Sequence, residues 1–383
     1  AMGPAVTIKF DITSCYTGTC LITPFSDLPS LTSNNITIDG YSQSGALANS
    51  ADFPNLLNGT LKVQIDDANG GTFGISFSSH SNTIKGLIIT GFSMAVDMTS
   101  STTNNRLQGN YIGVEADGVT SNGATGGEVI KSNQSYSYIG TDGDGTNEAA
   151  ERNVIGTGSA TDIINLFSGN NMTIAGNYIG LGIDGNTDIG ASGVGISVLA
   201  KYTIIGTNGD GVSDSVEGNV ISRNGTGIQI TSAQNIVAGN IIGLRPLSNN
   251  KEPNSVGIYI ASGDLNRIGT NGDETGDTAE RNVISGNTTY GIHISGALTG
   301  TRVAGNYVGV GTDGSTDFGN NDHGIYVLGT ASDGTIGGTI ADETNIIAYN
   351  GDGIGESGIY LTGAATDQIR ILRNSMFSNE QKG

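Results

Sequence analysis

The chain has 383 residues, of which 62 are glycine and only 6 proline; 14% are charged and tryptophan is absent. This composition excludes collagen and a Pro/Gly linker and assigns the glycines to turns, where they supply φ > 0 without steric cost. Acidic residues outnumber basic ones 36 to 16, a formal charge of −20, which argues against nucleic acid and anionic membrane as partners and permits cations, especially Ca2+.

In chain order, "AMG" at 1–3 reads as an expression remnant, compatible with a removed signal segment. "AVTIKFDI" at 5–12 alternates as a strand does. "CYTGTC" places Cys15 and Cys20 in one short turn. A zinc site needs four ligands, so a local disulfide is preferred to two free thiols, and it implies an oxidising compartment. "NNITIDG" at 34–40 is strand-like, with "LPS" and "FPN" in connecting loops. Residues 1–60 therefore read as an N-terminal cap with the first strands, and "LKVQID", "FGISF" and "TIKGLIIT" open a second region, 61–383. No run of 18 apolar residues occurs, so membrane insertion is not expected.

From residue 109 the chain repeats itself. "GNYIG" at 109–113 and 176–180, "GNIIG" at 239–243 and "GNYVG" at 305–309 interleave with "RNVIG" at 152–156, "GNVIS" at 218–222, "RNVIS" at 281–285 and "TNIIA" at 344–348. Their asparagines, closed by one near the end, are Asn110, Asn153, Asn177, Asn219, Asn240, Asn282, Asn306, Asn345 and Asn374. The gaps alternate between short (21 to 29) and long (39 to 43), as if a bare unit were followed by a unit with a loop. Each unit also holds a "GIxI"-type run, as at 227–230, 257–260 and 291–294, and a "TIxG"-type run before the asparagine. Three short strands per turn of about 22 residues, with no helical period, describe a parallel β-helix. Stacking at about 4.8 Å per coil builds one Ile/Val core. The asparagines then fall at an inward turn, where each amide can bond its neighbours in a ladder.

This pattern resembles the bacterial extracellular right-handed parallel β-helix repeat proteins, the pectate-lyase-like superfamily in the broad sense, over roughly residues 80 to 375. The resemblance implies an all-β, right-handed, single-stranded solenoid with an N-terminal cap, placed outside the cell or on its surface. It does not imply one activity, since lyases, hydrolases, epimerases, adhesins and structural shafts share the fold.

Two loop classes fill the long gaps. One is acidic, at 140–151, 206–217, 269–280 and 337–343; the other carries "DG", at 113–123, 180–190 and 309–319. Each is expected to stack into a ridge. In the acidic class, Asp142 with Asp144, Asp210 with Asp214, and Asp273 with Asp277 are candidate Ca2+ ligands, although Asp-Gly and Asn-Gly also make turns unaided. No catalytic constellation stands out. Arg152 and Arg281 recur at one repeat position, which points to packing or a Glu–Arg pair; Asp66–Asp67 is the single Asp-Asp pair, and His323 follows Asp322. Tyr259, Tyr326 and Tyr360 share an outward strand position that Ser197, Gln229 and His293 occupy in sister coils, so a broken aromatic face is expected, with the three tyrosines and His293 as candidate glycan contacts. Six N-x-[ST] sequons, among them Asn224 and Asn287, read as by-products of turn chemistry. The expected role is structural, adhesive or glycan-contacting, with a polysaccharide or surface glycan as partner. The alternative is a polysaccharide lyase or hydrolase whose groups hide around 61–135 or near His323. The chain ends at 383 without a visible C-terminal cap.

Overall fold

The computed structural model describes residues 4–67, 71–123, 127–158, 162–247, 250–296, 299–329, 333–363 and 368–381. Residues 1–3, the supposed remnant, lie outside them.

Alternating Ile/Val positions and frequent Gly/Asn turns give short strands, and these pair in parallel with the next circuit of the chain. Among the described residues they form three sheets of 12, 12 and 10 strands. The first runs from Val6–Lys9 to Arg370–Leu372, the second from Cys20–Ile22 to Ser375–Phe377, and the third from Phe73–Ser76 to Ile359–Thr362. One coil crosses first, second and third sheets in that order. The second-sheet register Tyr111, Val154, Tyr178, Val220, Ile241 shows the regular one-coil step. Within the three sheets all pairing is between consecutive coils, and parallel crossovers of this kind are right-handed. The chain is the right-handed parallel β-helix that its repeat predicts.

The inward position of the second sheet is Ile112, Ile155, Ile179, Ile221, Ile242, Ile284, Val308 and Ile347, each with 0% of its surface exposed. One apolar core runs from Val63 to Ile359. Each buried Ile or Val contributes about 1.5–3 kcal/mol.

The nine repeat asparagines lie at the corner entering the second sheet. Each Nδ2 donates to the Oδ1 of the next, from Asn110 to Asn374. Sequence reading isolated this ladder and missed another. Asn224, Asn254, Asn287, Asn320, Asn350 and Asn379 form a second run at the corner entering the third sheet. A third corner has shorter runs, Asn82 with Asn105 and Asn235 with Asn266. The sequon residues Asn224 and Asn287 are thus buried ladder rungs, not glycan acceptors.

The loops differ from expectation in one respect. Acidic loops 141–153, 207–219 and 270–282 join the first sheet to the second; the "DG" loops 113–129, 180–193 and 309–324 join the second to the third. They occur in alternate coils, so a long asparagine gap holds a loop at each of two corners rather than one loop; between Asn240 and Asn282 the second of these corners carries 243–255, which has no "DG". Both ridges flank the second sheet.

Residues 41–61 run across the outside of that sheet as a strap. Leu57 and Leu61 pack on Ile88, Tyr111, Val154, Tyr178 and Val220, with Tyr41 and Phe53 at the margin. Tyr111 and Tyr178 donate their hydroxyls to Gly59 O (3.2 Å) and Asn55 O (3.1 Å). Cys15 and Cys20 are joined by a disulfide at a Cα separation of 5.2 Å.

Candidate functional site: an aromatic stripe on the third sheet

The "GIxI" runs build the third sheet, and their variable residue points outward. Its register column reads Lys131, Asn165, Ser197, Gln229, Tyr259, His293, Tyr326, Tyr360. Every run needs its leading glycine for close packing: a Cβ on Gly257 would meet Gly291 O at 2.5 Å. In two coils the residue before the glycine adds a ring to this face: Tyr290, half-buried, and His323, buried at 8% exposed.

Six rings therefore meet on one face. Tyr259 stacks on His293 at 4.8 Å between centroids, His293 on Tyr326 at 4.9 Å, and Tyr326 on Tyr360 at 5.7 Å. These steps are close to the strand spacing of about 4.8 Å, so the stack runs along the helix axis. Tyr290 lies 5.2 Å from His293 and 4.9 Å from Tyr326; His323 stacks on Tyr360 at 4.4 Å. The expectation of a face broken at His293 is corrected. Imidazole is itself a flat aromatic ring, and it carries the stack from Tyr259 to Tyr326. The stripe stops at Gln229. His293 is half-buried in the stack rather than simply exposed, and that burial pushes its pKa down from the usual 6.5.

The surroundings are acidic. The Ser357 N–H donates to His323 Nδ1 at 2.9 Å, and His323 Nε2 lies 3.5 Å from Asp322 Oδ1. Burial, then Asp322 and Tyr326, raise the Tyr290 phenol above its ordinary value. That direction is opposite to what a phenolate base requires. The arrangement can present a rim of hydroxyls and ring edges over an apolar flank, the amphipathic surface tyrosine supplies at interfaces. Tyr290 was missed, and His323 was weighed only as a catalytic candidate, because a three-residue offset is not the two-residue strand period; the recurrent glycine after each was the available signal.

The six aspartates proposed for Ca2+ are divided by the structure. Asp210 and Asp273 accept hydrogen bonds from Asn208 Nδ2 and Asn271 Nδ2, both at 2.9 Å. Asp214 and Asp277 cap their own loops, accepting from the Thr207 and Thr270 hydroxyls and from the backbone of Gly211, Gly272 and Glu274. Only Asp142 and Asp144 fall in a carboxylate cluster among the described residues, and their third member is Glu148, not an aspartate. A glutamate closes each loop: Glu151, Glu217 and Glu280 accept from the N–H of Asp142, Asn208 and Asn271. Glu280 pairs with Arg267, and among the described residues no Glu–Arg pair forms at Arg281, which leaves packing of the two alternatives. Arg281 and Arg152 instead donate Nε to Gly305 O and Gly176 O, the packing role their recurrence suggested.

Burial first, and neighbouring acids second, push Glu151 up to about 8 and Glu217 up to about 7 from an ordinary 4.5. A carboxyl whose pKa rises on folding stabilises fully below its unfolded pKa, and that contribution is lost as pH rises through the folded value. In chelator, thermal stability is therefore expected to fall between pH 4.5 and about 8. Glu217→Gln should flatten the slope between pH 4.5 and about 7 and leave the part up to about 8, which Glu151 carries, measured by melts across that range; an unchanged slope contradicts the assignment.

On the second sheet, beyond the end of the strap, a groove of about 420 Å3 is lined by Phe53, Pro54, Ile241, Ala279, Arg281 and Val283 among others. Its rims are the two loop ridges. The molecule is thus a parallel β-helix with two distinct outer surfaces, an aromatic one and a grooved one.

No family model and no curated protein matches the chain. Among solved structures, it is similar to a periplasmic alginate epimerase mutant at 13% identity, covering 94% of this chain and 79% of that one, with a TM-score of 0.45. It is also similar to a mannuronan C-5 epimerase A-module from Azotobacter vinelandii, at 9% identity over 96% and 89% of the two chains, TM-score 0.48. A third is the Dettilon tailspike protein, at 14% identity over 96% of this chain and 63% of that one, TM-score 0.43. The likeness is one of fold, and no residue role or activity is carried over from it.

Proposed function

We propose that this chain is a glycan-contacting β-helix, working outside the cell, whose third-sheet stripe lies along an uncharged polysaccharide. The observation that carries this reading is the six-ring stripe, Tyr259 to Tyr360, running along the axis in consecutive coils. Outward aromatic clusters of this size on a soluble surface mark contact sites. Asp322 beside His323 and Tyr290, and a chain charge of −20, disfavour a polyuronate by like-charge repulsion. The disulfide supports an oxidising location.

The test is retention on a panel of insoluble neutral polysaccharides, with polygalacturonate and alginate as charged comparisons. Wild type is expected to be retained by at least one neutral polymer. Tyr326→Ala, at the centre of the stack, should weaken that binding tenfold or more, which corresponds to about 1.4 kcal/mol. A folded Tyr326→Ala that binds as wild type does would sink the assignment of the stripe. Retention by the uronates alone would overturn the charge argument.

A further inference from the structure

We propose that the loop spanning residues 141–151 holds one divalent cation of the oxygen-seeking kind, Ca2+ in the first instance, and that its sister loops do not. The inference is independent of the glycan reading and rests on a single donor-for-acceptor exchange between copies of the same loop.

In the sister loops the second residue is Asn208 or Asn271. Each amide closes on the aspartate two positions later. Its Oδ1 accepts from the backbone N–H of Asp210 or Asp273, and its Nδ2 donates to the same residue's carboxylate, all at 2.9 Å. The equivalent residue here is Asp142, facing Asp144. A carboxylate cannot donate, so the closing bond becomes a like-charge contact.

The Asp142 side chain is only 9% exposed. Its Oδ2 is taken by Arg106 Nε at 2.8 Å, and its Oδ1 is buried with no hydrogen-bond partner among the described residues. An orphaned buried carboxylate oxygen is costly unless a cation meets it. One oxygen each from Asp142, Asp144 and Glu148 lies within 4.8 Å of the others. Ca2+ binds oxygens at about 2.3–2.6 Å, so ligands on opposite sides of one ion stand at about this separation. Glu148 differs from its counterparts as well. Glu148 keeps backbone bonds of the kind its counterparts make, accepting from Gly143, Gly145 and Thr146, whereas Asp214 and Asp277 accept a threonine hydroxyl as well. The three carboxylates of the cluster face one guanidinium, a formal excess of two negative charges (3 − 1).

The experiment is calorimetric titration of the chelator-stripped full chain with CaCl2 and, separately, MgCl2, alongside thermal melts. Wild type should bind one equivalent and melt higher with the ion. Asp142→Asn restores the sister-loop pattern; it should lose the binding at least tenfold while melting no lower than ion-free wild type. Asp210→Asn and Asp273→Asn should leave the stoichiometry unchanged. The proposal is overturned if millimolar Ca2+ and Mg2+ give wild type neither heat nor a melting shift, if Asp142→Asn binds as wild type does, or if the sister-loop variants abolish binding instead.

Discussion

Asn219→Ala is expected to cost about 3–5 kcal/mol, since each buried group left unsatisfied costs about 1–3 kcal/mol. Asn219 is fully buried; its Nδ2 donates to Ile174 O at 2.8 Å and Asn240 Oδ1 at 2.9 Å, and its Oδ1 accepts from Asn177 N at 2.9 Å and Asn177 Nδ2 at 3.0 Å. Alanine removes all four bonds at once, in a coil with neighbours on both sides that cannot collapse onto the gap. The drop in melting temperature should be on the order of 10 °C for a domain of this size. Asn219→Asp keeps the shape and the acceptor but loses the donor and buries a charge, so it should be at least as damaging at neutral pH and milder in acid. Asn186→Ala, at an exposed loop position, is the matched comparison and should stay within about 0.5 kcal/mol. Denaturant or thermal unfolding of the three variants checks this. An Asn219→Ala protein as stable as Asn186→Ala would show that the ladder only occupies its corner.

The second large effect belongs to Arg152, whose side chain locks the strap to the helix. With 1% of its surface exposed, it donates Nε to Gly176 O at 2.9 Å and Nη1 to Ala51 O at 2.8 Å and Asn55 O at 3.2 Å. Its guanidinium also lies over Phe53 and Tyr178. Arg152→Ala is expected to cost about 3–5 kcal/mol, the range for breaking a buried charged network. Its signature should be local: faster amide exchange and new protease cleavage within residues 41–61, ahead of global unfolding. Arg281→Ala is the internal control. Arg281 makes the same Nε bond, to Gly305 O, and reaches Tyr307 Oη at 2.9 Å, but it has no strap carbonyl to hold. Its loss should cost less than half as much and leave the strap protected. Equal strap exposure in both variants would contradict the locking role.

Much of the scaffold was legible because a β-helix repeats its physics once per coil. "GNYIG" and "RNVIS" state which residue turns in, which is buried and which faces out, and Asn110 to Asn374 could be placed on one corner from spacing alone. What spacing could not supply was position around the coil. A gap of 42 residues is the same count whether its loops leave one corner or two, so the alternation of the ridges was invisible. The second ladder was hidden for a related reason: Asn224 and Asn287 sit in sequons and lack the two apolar residues that follow the asparagine in "GNYIG". The strap was out of reach because Tyr41, Phe53, Leu57 and Leu61 follow no period and meet partners as far along as Val220. In the aromatic stripe, His293 looked like an interruption because it was counted by residue name, whereas stacking depends on ring shape. At Asp142 the letter that matters was in plain view; its meaning needed the hydrogen bonds of Asn208 and Asn271 for comparison.

The central claim is that the outward rings of the third sheet, not the groove of the second, meet the glycan. A crystal structure of the chain with an oligosaccharide of the best-retained neutral polymer tests it most directly. The sugar is expected along Tyr259, His293, Tyr326 and Tyr360, within contact distance of Tyr290. Sugar bound instead between the loop ridges, against Phe53, Ile241 and Arg281, would contradict the account.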